Sequence, residues 1–203
     1  MNDPRKPLAD IQTLEEMHAY IRAFDGCDLK KGATQTVIYD GNPAAEVVVM
    51  GEAPGEQEDL QGKPFVGRSG KLMDQMLEAI GLSRKKNVYI TNALFWRPPS
   101  NRTPTPAEIA VCRPIVQRHL ALIKPRIILL AGRTAAQAVL QTEQSMGALR
   151  GKWQKMENPY LDEPLNVLVT FHPAYLLRNP PAKKDAWEDL KMVKKRMDEE
   201  GIV

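Results

Sequence analysis

The chain is 203 residues long, 43% hydrophobic and 26% charged, with 28 Lys and Arg against 25 Asp and Glu. That length suits one domain with a real core. With no run of about 18 apolar residues and no signal-like N-terminus, nothing points to a membrane or to export, so the cytoplasm is the default. A net charge of +3 permits an anionic partner without demanding one, and two cysteines, Cys27 and Cys112, are too few for a disulfide scaffold or an all-cysteine metal site.

Residues 1–10 are polar, carry two prolines and read as a loose arm. Thr13-Leu-Glu-Glu is a capping box, with Leu14, Met17, Ile21 and Phe24 at helical spacing behind it and Gly26 as the stop. Residues 27–46 read as loop with a short strand at 36–39. The body then alternates: strand 46–50, helix 67–80, strand 87–91, helix 106–122, strand 126–131, helix 133–140, strand 166–170 and helix 183–199. This βαβα order predicts an α/β fold with a mostly parallel central sheet and helices on both faces. Pro98, Pro99, Pro104 and Pro106 stiffen the loop after the second core strand, and 147–164, with Arg150 and Lys152, reads as a surface excursion. No repeat, low-complexity tract or linker divides the chain, which reads as a single domain over 1–203.

The apolar run Val47-Val-Val-Met breaks into Gly51-Glu-Ala-Pro-Gly-Glu-Gln-Glu-Asp, a glycine turn holding four carboxylates. Open α/β sheets bind ligands at the C-terminal ends of their strands, so Glu52 is delivered to a site mouth. Two other strand ends carry chemistry: Tyr89-Ile-Thr-Asn92 and Val167-Leu-Val-Thr-Phe-His172. In a parallel sheet Glu52, Asn92 and His172 converge on one cleft although 120 residues separate the first from the last. A carboxylate activates water, an amide reads a base edge, and a histidine stabilises developing negative charge. Taken singly, Asn92 also reads as a turn cap, and a lone strand-end histidine such as His172 is more often structural than catalytic. Phe65 precedes a helix and is placed to stack on a flat ligand, with core packing as the competing role; Arg68, Ser69 and that helix N-terminus are placed to meet phosphate. Arg102, Arg178, Lys183 and Lys184 read as rim charges or as solvated ones. No Walker A or Gly-x-Gly-x-x-Gly motif is present, and the three histidines lack metal-ligand spacing.

In this order, Gly51-Glu-Ala-Pro-Gly, Gly62-Lys-Pro-Phe-Val-Gly, Tyr89-Ile-Thr-Asn, Arg97-Pro-Pro-Ser-Asn-Arg and Phe171-His-Pro-Ala-Tyr-Leu-Leu-Arg closely resemble the family 4 uracil-DNA glycosylases, over about residues 24–195. The resemblance implies a three-layer α/β/α sandwich on a four-stranded parallel sheet, and an enzyme that flips deoxyuridine out of DNA and hydrolyses its N-glycosidic bond. It makes Glu52 and His172 catalytic and places Gly51, Ala53, Phe65 and Asn92 at the uracil. Glu58 and Asn101 become supporting residues, and Arg68, Ser69, Arg102 and Arg178 contacts to the DNA. The implied partner is uracil-containing DNA, met by a monomer. Family members hold a [4Fe–4S] cluster on four cysteines, and those places here read Phe24, Cys27, Trp96 and Cys112. A cubane cluster takes four thiolates, so no cofactor is expected, with the aromatics filling the space; a cluster with outside ligands is the alternative. Ser100–Pro106 lacks the histidine-bearing insertion of a related branch that links covalently to DNA, so turnover is expected. The rival readings are a DNA-binding module of the same fold that has lost efficient catalysis, and a nucleoside-cleaving hydrolase.

Overall fold

The computed structural model describes residues 7–202. A 3-10 turn at Leu8–Asp10 leads into α1 (Leu14–Ala23) and α2 (Leu29–Gly32), followed by β1 (Tyr39–Gly41), β2 (Val47–Gly51), α3 (Glu56–Gln61), α4 (Arg68–Glu78) and β3 (Val88–Asn92). The second half runs α5 (Pro106–Ile123), β4 (Ile127–Ala131), α6 (Arg133–Leu140), α7 (Met146–Leu149), β5 (Trp153–Met156), β6 (Leu165–Thr170), α8 (Pro173–Arg178) and α9 (Lys183–Glu200). The capping box expected at Thr13 forms with Glu16 on α1, and a second one, Thr105 with Glu108, starts α5. Each box satisfies two backbone donors that a helix start would otherwise leave unpaired.

β2, β3 and β4 are buried at every position, which is why they read as continuous apolar runs and not as alternating ones. The sheet order is β1-β3-β2-β4-β6-β5. Its four inner strands are all parallel, while β1 pairs antiparallel with β3 and β5 antiparallel with β6. The sheet therefore has six strands, not four: the parallel core is as expected, and an antiparallel strand is added at each edge. β5 lies inside the stretch read as a surface excursion. Its first three residues are half-exposed or exposed and the strand is too short for a periodic signal, whereas its last residue, Met156, and Leu149 before it are core residues. β1 starts at Tyr39, where the sequence strand at 36–39 ends.

Alternate residues of each inner strand face opposite layers. Val48, Met50, Tyr89, Ile128, Leu130 and Val169 pack toward α1, α5 and α6, against Met17, Ile21, Ile115, Leu120 and Val139. Val47, Val49, Val88, Ile90, Leu129 and Leu168 pack toward α4, α8 and α9, against Met73, Leu77, Leu176, Leu190 and Val193. This is the α/β/α sandwich. Of the arm placed at 1–10, residues 1–6 lie outside the described residues; the rest is tied down, since Leu8 packs on the core and the Ile11 carbonyl accepts from Arg118. Among the described residues no helix is long and apolar enough to cross a membrane.

Two of the three histidines are part of this core. The Tyr89 hydroxyl sits between His18 Nε2 at 3.0 Å and His119 Nε2 at 2.7 Å. Burial holds His18 down to about 4 and His119 to about 3, so both are neutral at pH 7 and their polar atoms are consumed within the protein.

Candidate active site

The inner strands all end on one edge, with Gly51 opposite Asn92 and Ala131 opposite Thr170. The chain leaving those ends lines a cleft of about 540 Å³: Glu52 after β2, Asn92 closing β3, Gly132 to Thr134 after β4, and His172 after β6. Ala53, Glu58, Phe65 and Ser69 contribute from the acidic loop and the start of α4, and Asn101, Arg102 and Arg178 reach it from the proline loop and α8. Parallel topology thus brings Glu52, Asn92 and His172 together as the sequence predicts. Gly51 lies just behind the wall, and Arg68 is exposed on the first turn of α4, off the cleft lining. Lys183 and Lys184, at the start of α9, are likewise exposed and off it.

Packing explains why β2 ends in glycine. A Cβ on Gly51 would lie 2.6 Å from Asn92 Oδ1 and 2.7 Å from Phe65 Cζ, so the amide and the ring close over it. Phe65 is only 5% exposed and takes φ +52°, a left-handed conformation costly for an aromatic residue. Arg84 holds it there: Nη2 donates to the Phe65 carbonyl at 2.7 Å and Nη1 to that of Pro64 at 3.2 Å, while Asp40 and Asp74 fix the guanidinium. Gly70 completes the seat, because a Cβ there would fall 1.9 Å from the Phe65 carbonyl oxygen. The ring then stacks with His172, 5.7 Å between centroids. Arg84 has no sequence signal, since its targets lie 19 and 20 residues away across a loop.

The four carboxylates of the turn separate by environment. Glu58 accepts from the backbone N–H groups of Val66 and Gly67 at 2.8 and 2.9 Å, and so holds the loop that carries Phe65. Asp59 is 3% exposed and accepts from the N–H groups of Thr34 and Gln35, a loop-fixing role. Glu56 is exposed, 4.0 Å from Arg97. Glu52 and Glu58 are both half-buried on the cleft wall, but Glu58 is engaged by two backbone N–H groups, which leaves Glu52 as the carboxylate turned to the cleft. Burial raises its pKa, and a hydrogen bond from Thr134 partly opposes the rise. Thr134 went unnoticed in the sequence although its signal was there: β4 ends in Ala-Gly-Arg-Thr, an apolar run breaking at glycine as β2 does.

His172 caps α8, and its Nδ1 accepts the Ala174 N–H at 3.1 Å. An acceptor nitrogen carries no proton, so Nε2 is the N–H donor of a neutral ring. Burial, then Arg178, lower its pKa to about 4 against a smaller upward pull from Glu58. Gly132, at φ +97°, lets the chain approach: its Cβ would meet that of His172 at 2.9 Å. The rim is cationic. Arg178 and Arg133 are exposed there, whereas Arg102 is held by Glu108 through bonds of 2.9 and 2.6 Å, which keep that carboxyl near 2. Asn101 takes φ +54° and accepts from Arg97 Nε at 2.7 Å, fixing the turn of the proline loop.

The four positions where the resemblance implies a cluster do not form a ligand set. Cys27 and Cys112 are free, buried and close enough to interact, an interaction that draws the Cys27 thiol down and, with burial, pushes that of Cys112 up. The Phe24 and Trp96 rings stack at 6.2 Å, and Trp96, fully buried, donates Nε1–H to Thr36 Oγ1 at 3.0 Å. Among the described residues no group of three or more His, Cys, Asp or Glu could hold a metal ion. Two thiols and two packed aromatics do not fit a cluster that takes four thiolates.

Comparison with known proteins agrees with this geometry. Residues 38–191 match the family model described as the uracil DNA glycosylase superfamily. The chain is 38% identical over 187 residues to the type-4 uracil-DNA glycosylase of Archaeoglobus fulgidus, covering 90% of this chain and 92% of that one. It is 40% identical over 187 residues to that of Saccharolobus solfataricus, covering 90% and 85%, and 35% identical over 196 residues to that of Thermotoga maritima, covering 94% and 97%. Family model, relatives and sheet topology converge: the chain belongs to the uracil-DNA glycosylase superfamily, in its type-4 branch.

Proposed function

We propose that the cleft receives a deoxyuridine flipped out of DNA, and that Glu52 and His172 carry the hydrolysis of its N-glycosidic bond. The protein is a uracil-DNA glycosylase of base-excision repair. The observation that carries the residue assignment is the meeting in one cleft of a half-buried carboxylate, its pKa raised by desolvation, and a histidine held as a neutral N–H donor. Phe65, locked by Arg84, stacks on the uracil, and Asn92 pairs with its polar edge. Reversal of a donor and an acceptor, as in cytosine, leaves those buried groups unpaired. The bond from sugar carbon to base nitrogen breaks with its electron pair leaving on uracil, and His172 Nε2–H donates to the oxygen that gains the charge. Ionised Glu52 offsets the cationic sugar, orients the water and takes its proton as the water oxygen bonds to the sugar carbon. Arg178, Arg133 and Ser69 meet backbone phosphates, with Arg68 farther along the strand. Arg102, already paired with Glu108, adds less.

The enzyme works without an iron–sulfur cluster on this reading, because the stacked Phe24 and Trp96 rings bridge the N-terminal segment to the β3–α5 loop that a cluster would tie together. It acts as a monomer, since one chain supplies the lining of the cleft. The test is uracil release from a labelled oligonucleotide by wild type, Glu52→Ala and His172→Ala, with iron and visible absorption measured on the same preparation. Wild type should turn over, and each variant should lose roughly 10²- to 10⁴-fold. Full activity in both variants overturns the residue assignment, an inert wild type that still binds DNA favours the binding-module reading, and stoichiometric iron overturns the cofactor reading.

A further inference from the structure

The mechanism above leaves one aromatic side chain of the cleft unused. Tyr175 is 38% exposed at the mouth, in a protein whose other aromatic cleft residue, Phe65, is 5% exposed. Its ring is not a loose surface group. It stacks on Phe171 with centroids 4.9 Å apart and planes 29° from parallel, and its hydroxyl accepts from Asn179 Nδ2 at 2.7 Å. Phe171 is braced in turn, for the Arg150 guanidinium lies 5.1 Å from its centroid and is anchored to buried Asp189 by bonds of 3.1 and 3.2 Å. A stacked series therefore runs from a buried carboxylate to the cleft mouth and ends in an exposed aromatic ring. The Tyr175 N–H also bonds the His172 carbonyl at 2.9 Å, so the ring stands on the same helical turn as the histidine of the site.

We propose that Tyr175 is a stacking platform for the nucleobase next to the flipped deoxyuridine. The inference rests on the reading of the cleft as a DNA site. Extruding one nucleotide removes a stacking partner from each neighbour, at a cost of a few kcal/mol per step. A ring already held by Phe171 and Asn179 has little freedom left to lose, so most of the stacking energy it offers is retained on binding. An aromatic face among exposed Arg133 and Arg178 is also the composition by which proteins hold unpaired strands, rings for bases and cations for phosphates. Because every base has a π face, the platform imposes no sequence context on the neighbour.

The experiment compares wild type, Tyr175→Phe, Tyr175→Leu and Tyr175→Ala, each checked for an unchanged melting temperature. KM and kcat are measured for uracil release from single-stranded DNA. Quenching of 2-aminopurine is measured beside a 2′-fluorinated deoxyuridine, whose bond resists cleavage because the fluorine disfavours a cationic sugar. Tyr175→Ala and Tyr175→Leu should raise KM about tenfold, the size of one base–aromatic stack, and abolish the quenching, while kcat at saturation changes less than about threefold. Tyr175→Phe should stay within about twofold of wild type. Unchanged KM and quenching in the alanine and leucine variants overturns the platform while leaving the enzyme reading intact. Equal loss in Tyr175→Phe overturns it as well, since the hydroxyl would then be the active part. A wild type that releases no uracil but still quenches 2-aminopurine in a Tyr175-dependent way overturns the enzyme reading and keeps the platform.

Discussion

Removing His172 tests whether the leaving base is stabilised by a neutral donor or by a cation. With its pKa near 4, about one ring in a thousand is protonated at pH 7, and forming the cation there costs about 4 kcal/mol. Nδ1 is occupied by the Ala174 N–H, so the ring has a single proton to offer, on Nε2. Loss of one such donor to a developing oxyanion costs about 2.7–4 kcal/mol, or roughly 10²- to 10³-fold in rate. The assay is single-turnover uracil release by wild type and His172→Ala at saturating enzyme, from about pH 4.5 to pH 9. Glu52 must be ionised, and burial raises its pKa, so the wild-type rate should fall on the acid side and stay flat through neutrality. His172→Ala should run parallel to it, lower by that factor at every pH. A wild-type rate that instead declines as pH rises through about 6.5, the ordinary titration range of histidine, would show the imidazolium to be the acting form. That result, or a His172→Ala loss below tenfold, refutes the reasoning.

Two further outcomes follow from the packing. Gly51→Ala puts a methyl 2.6 Å from Asn92 Oδ1 and 2.7 Å from Phe65 Cζ, so it should lower kcat/KM at least about tenfold with little change in melting temperature; an unaltered kcat/KM would show that neither group needs its present place. His18, His119 and His172 all have folded values below the unfolded value of about 6.5, so the folded state binds fewer protons and stability, full above about pH 6.5, falls as pH drops toward 4. At pH 5 each contributes a loss of about 2 kcal/mol, opposed in part by Glu52 and Asp189, whose values burial raises. The melting temperature should drop by at least about 5 °C from pH 7 to pH 5, and less in His119→Gln; a wild-type curve flat over that range refutes it.

What the sequence revealed and what it withheld divide along a physical line. A strand buried on both faces writes itself as a short apolar run, and parallel topology then places every run's exit on one edge, so Glu52, Asn92 and His172 could be assembled without coordinates. The same logic places Thr134, which follows the exit of β4. β1 was placed about three residues early, at 36–39, and β5 was not legible at all, because an edge strand of three or four residues, half in solvent, has neither the length nor the alternation to register clearly. Arg84 and the series from Asp189 through Arg150 and Phe171 to Tyr175 stayed hidden for a different reason: each is defined by contacts between distant segments, and no local spacing encodes them. The positions of the family's cluster lie between these cases. Their chemistry is plain from the residue types, since Phe24 and Trp96 cannot ligate iron, but that their two rings stack is a property of the fold. Trp96 closes the segment that follows Asn92, so the aromatic pair braces, from outside the cleft, the strand end that places the Asn92 amide on the cleft wall. Trp96 stands four positions after Asn92, so the packing of the aromatic pair and the placing of the Asn92 amide are set within one short stretch of chain.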